Sequence, residues 1–354
     1  MINRIVLRSI RSYSNDAAVF DFPVGLSVLY GKNGIGKTTV LESIHLLTTL
    51  KSFRTNSLAT LIAHGSEEAS AEAKFSTPDH IRKIDIFPRS KKISRDHQKQ
   101  MQVEPFLDGE KAVCLAPEHQ GIVRESPQER RSYLDTLLFG RDPTFLTLSR
   151  RYNRALKQKA ALLRQELPKI DYHQLVTPWN EELIRTNEII REKRIQLVAG
   201  LKPTVQALYE TISQSSDRAD LDYRFSEKTL VQELAQKTDA EYFAKRVLTG
   251  CHRDDMNILL RNKSAKETAS QGEVSSLLLA LKIAEMESLQ SIHTKAPILL
   301  LDDVGGTLDE NRKNKLFAWL TTRENQQTIL TTADAHLFDM VRDLGAVPVR
   351  RLEN

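Results

Sequence analysis

Three short segments of this chain carry residue types spaced for chemistry on a nucleotide. Gly31-Lys32-Asn33-Gly34-Ile35-Gly36-Lys37-Thr38 fits the pattern G-x-x-x-x-G-K-[ST], with Thr39 directly behind it. In such a cradle the glycines let backbone N–H groups turn onto phosphates, the lysine contacts the β- and γ-phosphates, and the threonine ligates Mg²⁺. Ile298-Leu299-Leu300-Leu301-Asp302-Asp303 places a second acid 265 residues beyond Lys37. Asp302 is the candidate to hold Mg²⁺ through water, and Asp303 the candidate to orient or deprotonate an attacking water. Ser270-Gln271-Gly272-Glu273 opens a strongly apolar run. A serine, a flexible glycine and a helix N-terminus together make a second anion site. Each segment has a plainer alternative: a glycine turn, an acidic cap, or a serine that only caps a buried helix. Their order in one chain favours the nucleotide site.

The elements around these residues agree. Val24 to Tyr30 is apolar enough for a buried strand running into the glycine loop, and Val40, Leu41, Ile44 and Leu47 recur at helical spacing behind it. Four aliphatics after Pro297 read as a parallel strand buried on both faces. Cradle and acidic strand must meet at one Mg-nucleotide, so the chain between them is an insertion into a single ATPase core. The expected fold is α/β, a P-loop NTPase with a helical arm inserted between the P-loop and Ser270. Residues 1–125 and 246–354 would form the ATPase domain and 126–245 the arm.

In the first part, Ile81–Phe87 and Met101–Phe106 are strand candidates, and the basic run Arg89 to Lys99 reads as a loop, either a solvated hairpin tip or a phosphate contact. Ser126 with Glu129 predicts a capping box, with Pro127 at the first helical position. Asp142-Pro143 starts a second helix that stops before Pro168, and a third begins at Trp179 and is broken or kinked at Pro203.

Further motifs carry a family resemblance. Ser270 to Glu273 resembles the signature motif of ABC-type ATPases, whose serine closes over the γ-phosphate held by the other protomer, and Leu308-Asp309 resembles their D-loop. Over essentially its whole length the chain resembles the RecF family, bacterial recombination mediators of the ABC/SMC-like class. Leu7 to Tyr13 resembles the family's opening strand with its arginine, here Arg11. Pro117-Glu118 followed by Ser126 to Asp135 resembles its P-E…P-x-x-R-R-x-x-L-D block, and Gly250 to Asp255 its G-P-H-R-x-D motif. The resemblance implies nucleotide contacts from Arg11, Ser270, Gly272 and Asp309 besides the P-loop, and catalytic roles for Lys37, Ser270 and Asp303. It also implies ATP and Mg²⁺, an ATP-dependent homodimer on duplex or gapped DNA, and action with RecO and RecR to help load RecA.

Departures from the family pattern are visible. Cys251 stands where the family usually has proline, which leaves the turn less rigid. Asp303 stands where many ABC enzymes have glutamate, although RecF-like proteins commonly share the Asp-Asp pair, and its shorter reach suits slow hydrolysis. Thr331-Thr332-Ala333-Asp334 holds no switch histidine, which leaves Thr331 or Thr332 to sense the γ-phosphate.

Composition narrows the class. The length of 354 residues favours two or more domains. Arg4, Arg8 and Arg11 interrupt the start, so no secretory leader is expected, and no apolar run approaches a membrane span. Cys114 and Cys251 lie far apart, which fits reduced thiols in a cytoplasmic protein, and the family resemblance implies that it is nucleoid-associated. The net charge of +5 fits a nucleic-acid partner, though such an excess is common elsewhere. Arg130, Arg131, Arg150, Arg151, Arg154, Lys157, Lys159 and Arg164 concentrate basic charge on the arm, either to meet duplex DNA or to pair with the arm's glutamates. No zinc ligands, aromatic platform or recognition helix is visible, so any DNA preference should be for structure over sequence. Two other readings stay open, an ATPase subunit of a membrane transporter and a nuclease-coupled defence ATPase.

Overall fold

The computed structural model describes residues 1–76, 79–213, 215, 217–293, 295–303, 310–321, 323 and 326–350. Strands β1 (Ile2–Arg8), β2 (Ala18–Asp21) and β3 (Leu26–Tyr30) precede helix α1 (Lys37–Thr49). Then come β4 (Ala69–Ser76), β5 (Asp79–Phe87), β6 (Ser90–Arg95), β7 (Gln98–Gln100), α2 (Val103–Leu107) and β8 (Ala112–Leu115). Helices α3 (Gly121–Arg124), α4 (Pro127–Arg141), α5 (Thr144–Arg164) and α6 (Lys169–Ser213) lead to β9 (Ala219–Arg224) and α7 (Leu230–Ala244). Next are β10 (Asp255–Leu260), β11 (Lys263–Ser264), α8 (Ala265–Thr268), α9 (Gln271–Gln290) and β12 (Ile298–Leu301). The chain closes with α10 (Glu310–Thr321), β13 (Thr328–Thr332), α11 (Ala335–Asp343) and β14 (Val347–Pro348).

Two compact units result. The first comprises Met1–Gln120, Leu208–Ser216 and Ala269–Asn354, the second Gly121–Ala207 and Asp217–Thr268. In the first unit a five-stranded sheet has the order β14-β3-β13-β12-β8, and every pair in it is parallel. All four residues of β12 are buried, which is what an uninterrupted aliphatic run between two parallel neighbours requires. Register sets Leu301 beside Leu115 on one side and Leu330 on the other, and Thr332 beside Tyr30. The carboxyl ends of four strands therefore finish at one edge, where open α/β sheets bind ligands. A second sheet, antiparallel, runs β2-β1-β4-β5-β6-β7.

Two expectations are corrected in this unit. The segment expected as a strand at Met101–Phe106 is helix α2, with Val103, Phe106 and Leu107 buried. Pro105 is tolerated there because the first turn of a helix has no use for its missing N–H. The basic run from Arg89 to Lys99 is not a loop but includes β6 and β7, which extend the sheet by pairing Ile84 with Ile93 and Arg82 with Arg95.

The second unit is mostly helical, with a small sheet in the order β11-β10-β9. Residues 246–268, expected with the ATPase, lie in this unit because β10 pairs along its length with β9. Pro127 begins α4, but Ser126 makes no side-chain cap. Helix α5 starts at Thr144 with Pro143 as its N-cap residue and no side-chain cap, and Asp142 just before it accepts the Thr144 N–H at 3.0 Å. Helix α6 starts ten residues before Trp179 and continues through Pro203. Val198 and Leu201 before the proline and Val205 and Tyr209 after it are all buried. That continuous apolar stripe outweighs the roughly 3 kcal/mol that an interior proline costs.

Two segments that carry the family resemblance, Ser126–Asp135 and Gly250–Asp255, meet inside this unit. Arg130 forks onto Asp255 at 2.8 and 2.9 Å, and Arg131 Nη1 donates to the Asp254 carbonyl at 2.8 Å. From α6, Arg194 forks onto Asp135 and also donates to the Cys251 carbonyl, each at 2.8 Å. Arg191 forks onto Asp254 at 2.9 and 3.2 Å. The Cys251 N–H donates to Asn187 Oδ1 at 2.7 Å, a bond that proline has no hydrogen to make. Both cysteines are buried and free.

Candidate nucleotide site and basic surface

The glycine loop sits between the end of β3 and the start of α1, so it presents backbone donors at a helix N-terminus. Gly36 has φ +99, and a Cβ there would lie 2.8 Å from Ser12 Oγ and from the Tyr13 ring. Only glycine fits that approach, and the Tyr13 hydroxyl donates to the Gly36 carbonyl at 3.2 Å. Lys32, Asn33, Gly34 and Ile35 are exposed, whereas Thr39 is buried. Lys37 Nζ donates to the Gly31 and Lys32 carbonyls at 2.7 and 2.9 Å. Desolvation lowers its pKa, opposed by the charges of Asp303 and then Asp302.

The acidic strand meets this loop. Thr38 Oγ1 donates to Asp302 Oδ1 at 2.9 Å, and Thr331 Oγ1 donates to the same oxygen at 2.7 Å. The Asp303 N–H donates to Thr331 Oγ1 at 3.0 Å, so Thr331 on β13 bridges the two aspartates. Asp303 has φ 46, a left-handed conformation that Asp tolerates better than most residues. Burial raises the Asp302 pKa; bonds from Thr331 and Thr38 oppose this, and the charges of Glu118 and Asp303 add to it. Asp302 and Asp303 are thus the acids whose charges act on Lys37, while Glu118 is paired with Arg54 at 3.1 Å. Among the described residues no group of three or more His, Cys, Asp or Glu forms a protein-only metal cage. A hydroxyl and one carboxylate joined at 2.9 Å match Mg²⁺, which keeps waters and phosphate oxygens as its other ligands.

The remaining predicted site residues separate. Ser270 caps α9 in a reciprocal capping box: its Oγ accepts the Glu273 N–H at 3.3 Å, and its own N–H donates to Glu273 Oε2 at 2.6 Å. The cap leaves Ser270 exposed at the first turn of a helix buried over most of its length. Gly272 lies in the same turn. Arg11 is not turned to the P-loop; it forks onto buried Glu42 of α1 at 2.6 and 2.8 Å. Leu308 and Asp309 lie outside the described residues. Glu42 and Glu118 went unread in the sequence as site residues, although an acid inside the apolar run Val40 to Leu47 is itself a sign of a buried partner.

The basic residues of the second unit sort into two groups. Arg130 and Arg131 hold the Gly250–Asp255 segment, Arg151 pairs with Glu182 at 2.6 Å, and Lys159 is buried 2.6 Å from Glu241. Arg150, Arg154, Lys157 and Arg164 are exposed, and their side chains make no ion pair or hydrogen bond among the described residues. They occupy positions i, i+4, i+7 and i+14 of α5, one face of a helix with no acidic residue in it. The stripe is about 21 Å long at 1.5 Å per residue.

Comparison with known proteins fits this geometry. Residues 1–351 match the family model described as the RecF/RecN/SMC N terminal domain. The DNA replication and repair protein RecF of Anaeromyxobacter sp. (strain Fw109-5) is 34% identical over 328 residues, 88% of this chain and 87% of that protein. The chain belongs to the RecF family. RecF of Geotalea daltonii (strain DSM 22248 / JCM 15807 / FRC-32) is 31% identical, with 94% of this chain and 93% of that protein covered. A solved structure of the recombination mediator protein RecF-ATP in the RecFOR pathway superimposes with a TM-score of 0.83 at 25% identity, covering 94% of this chain and 92% of that one. An Smc head domain from Pyrococcus yayanosii, 15% identical with a TM-score of 0.53, shares the fold over 93% of this chain and 92% of its own. The fold is thus the P-loop ATPase fold of RecF and SMC heads. Among the described residues no helix is long and apolar enough to cross a membrane.

Proposed function

We propose that this chain is an ATP-dependent DNA-binding switch of recombinational DNA repair. The observation that carries the reading is the bond from Thr38 to Asp302, which joins the phosphate cradle to the acidic strand at the carboxyl edge of one parallel sheet. Lys37 and the loop N–H groups bind the β- and γ-phosphates, and Thr38 and Asp302 hold Mg²⁺, which neutralises charge on the transferred phosphoryl group. Asp303 orients the attacking water, and Ser270 and Gly272 of a second protomer close the site. Arg11 reaches the nucleotide only by leaving Glu42. The homodimer so formed holds duplex or gapped DNA against the free cations of α5, and slow hydrolysis releases it. The chain acts in the cytoplasm with RecO and RecR, and through them on RecA loading. The relatives named as DNA replication and repair proteins, and the RecF-ATP structure, support this placing.

The test is binding of fluorescent gapped duplex with ATP, with ADP and without nucleotide. The reading expects tighter binding with ATP that weakens steeply as salt is raised. Equal affinity in all three states would contradict it.

A further inference from the structure

Helix α10 begins seven residues after Asp303 and touches α9 and the last turn of α6, which both lie in its own unit there. Arg312 Nε donates to Ser276 Oγ at 2.6 Å, and Ser276 Oγ in turn donates to the Gly272 carbonyl at 3.2 Å. A Cβ on Gly272 would lie 3.0 Å from Arg312 Nη2, so the guanidinium lies flat against the first turn of α9. That turn is the one whose cap is Ser270. One helical turn along α10, Lys315 Nζ takes the Thr211 and Ile212 carbonyls at 2.6 and 3.0 Å, at the C-terminal end of α6. The Arg312 bond is charge-assisted and short, and Ser276 is fully buried, so the contact fixes the pose of the turn.

We infer that Arg312 is a positioning residue that sets the anion-binding turn Ser270–Gly272 from the helix following the acidic strand, so that the turn is ready to close on the nucleotide of a second protomer. The inference rests on the proposed closure in trans. Arg312 touches no reacting atom, and its effect on one site is delivered from the other chain.

The test mixes protomers. Arg312→Ala should bind a fluorescent ATP analogue within about twofold of wild type, yet lose about tenfold or more in kcat with KM little changed, since a misplaced group costs catalysis and not ground-state binding. Arg312→Lys should recover part of that loss, and Ser276→Ala added to Arg312→Ala should cost little more. Arg312→Ala mixed with Asp303→Asn should regain activity, because the first supplies an intact hydrolytic half and the second an intact Ser270 turn. Ser270→Ala mixed with Asp303→Asn is the control for closure in trans. If the control regains activity and the Arg312 mixture does not, Arg312 serves its own acidic strand and the inference fails. If neither regains activity, closure in trans fails and the inference falls with it. Loss of ATP binding or of thermal stability in Arg312→Ala would reduce the contact to a structural one and also overturn it.

Discussion

Thr38 Oγ1 and Asp302 Oδ1 lie 2.9 Å apart although 264 residues separate them in the chain. Neither half of the candidate metal site is complete without the other, and the second unit is inserted between them. Thr38→Ala removes the proposed ligand and leaves the Asp302 carboxylate with Thr331 as its side-chain partner among the described residues. Its Mg-ATP affinity should fall by about 10–100-fold, as for other metal-site partners, while metal-free ATP binding changes little. Titration of a fluorescent ATP analogue with and without Mg²⁺ checks this, and equal losses in both arms would remove Thr38 from the metal.

Asp303 is fixed by its N–H to Thr331 and is less buried than Asp302. Asp303→Asn should keep ATP binding and lower single-turnover hydrolysis by about 10²–10⁴-fold, the usual share of a general base. Asp303→Glu lengthens the reach by one methylene and should raise the rate. An unchanged single-turnover rate in Asp303→Glu would contradict the account of slow hydrolysis.

The free cations of α5 should meet phosphate and the internally paired ones should not. Arg154→Ala with Lys157→Ala should weaken DNA binding across sequences and reduce the slope of log affinity against log salt by about 2, close to one per lost phosphate contact. Arg151→Ala, which removes a cation already paired with Glu182, should change the slope far less. Lys159→Ala should instead destabilise the fold by about 3 kcal/mol, because it leaves the buried Glu241 carboxylate without its counter-charge, although Leu248 and Thr249 still donate to it. Salt titrations by fluorescence anisotropy, with thermal melts alongside, separate these outcomes.

Acid should destabilise the first unit through His45. Burial pushes this histidine down to about 4 from 6.5; its bond to the Lys51 carbonyl opposes the shift, and the charges of Lys282 and Lys51 add to it. With the folded pKa below the unfolded one, the unfolded chain takes up the proton first. The stabilisation is complete above the ordinary value and is lost as pH falls from 6.5 towards 4. Between about pH 7 and about pH 5 the loss is about 2 kcal/mol for this group alone. Urea unfolding of His45→Asn should show a pH dependence flatter by that amount, and a slope as steep as wild type would contradict the assignment.

The nucleotide cradle was legible because glycine spacing, an aliphatic strand and a helical stripe are local signals. Ser270 with Glu273 reads directly as the capping box that forms. Ser126 with Glu129 has the same spacing and makes no side-chain cap, so the pattern alone does not decide. The course of α6 was hidden because its two prolines argue locally for breaks, whereas packing on both sides of Pro203 carries the helix through. The sorting of arm cations was equally hidden: Arg150 and Arg151 are neighbours, yet one is free and the other paired with a glutamate 31 residues away. Arg312 lies in none of the motifs, and Ser276, which it bonds, lies 36 residues before it.

The central claim is that ATP joins two copies of this chain on DNA. The most direct measurement is molecular mass by light scattering with ATP or ADP, with and without gapped duplex, beside Lys37→Arg. The account predicts a dimer with ATP that DNA strengthens, a monomer with ADP, and a monomer for Lys37→Arg throughout. A wild-type protein that stays monomeric with both ATP and DNA present would contradict it.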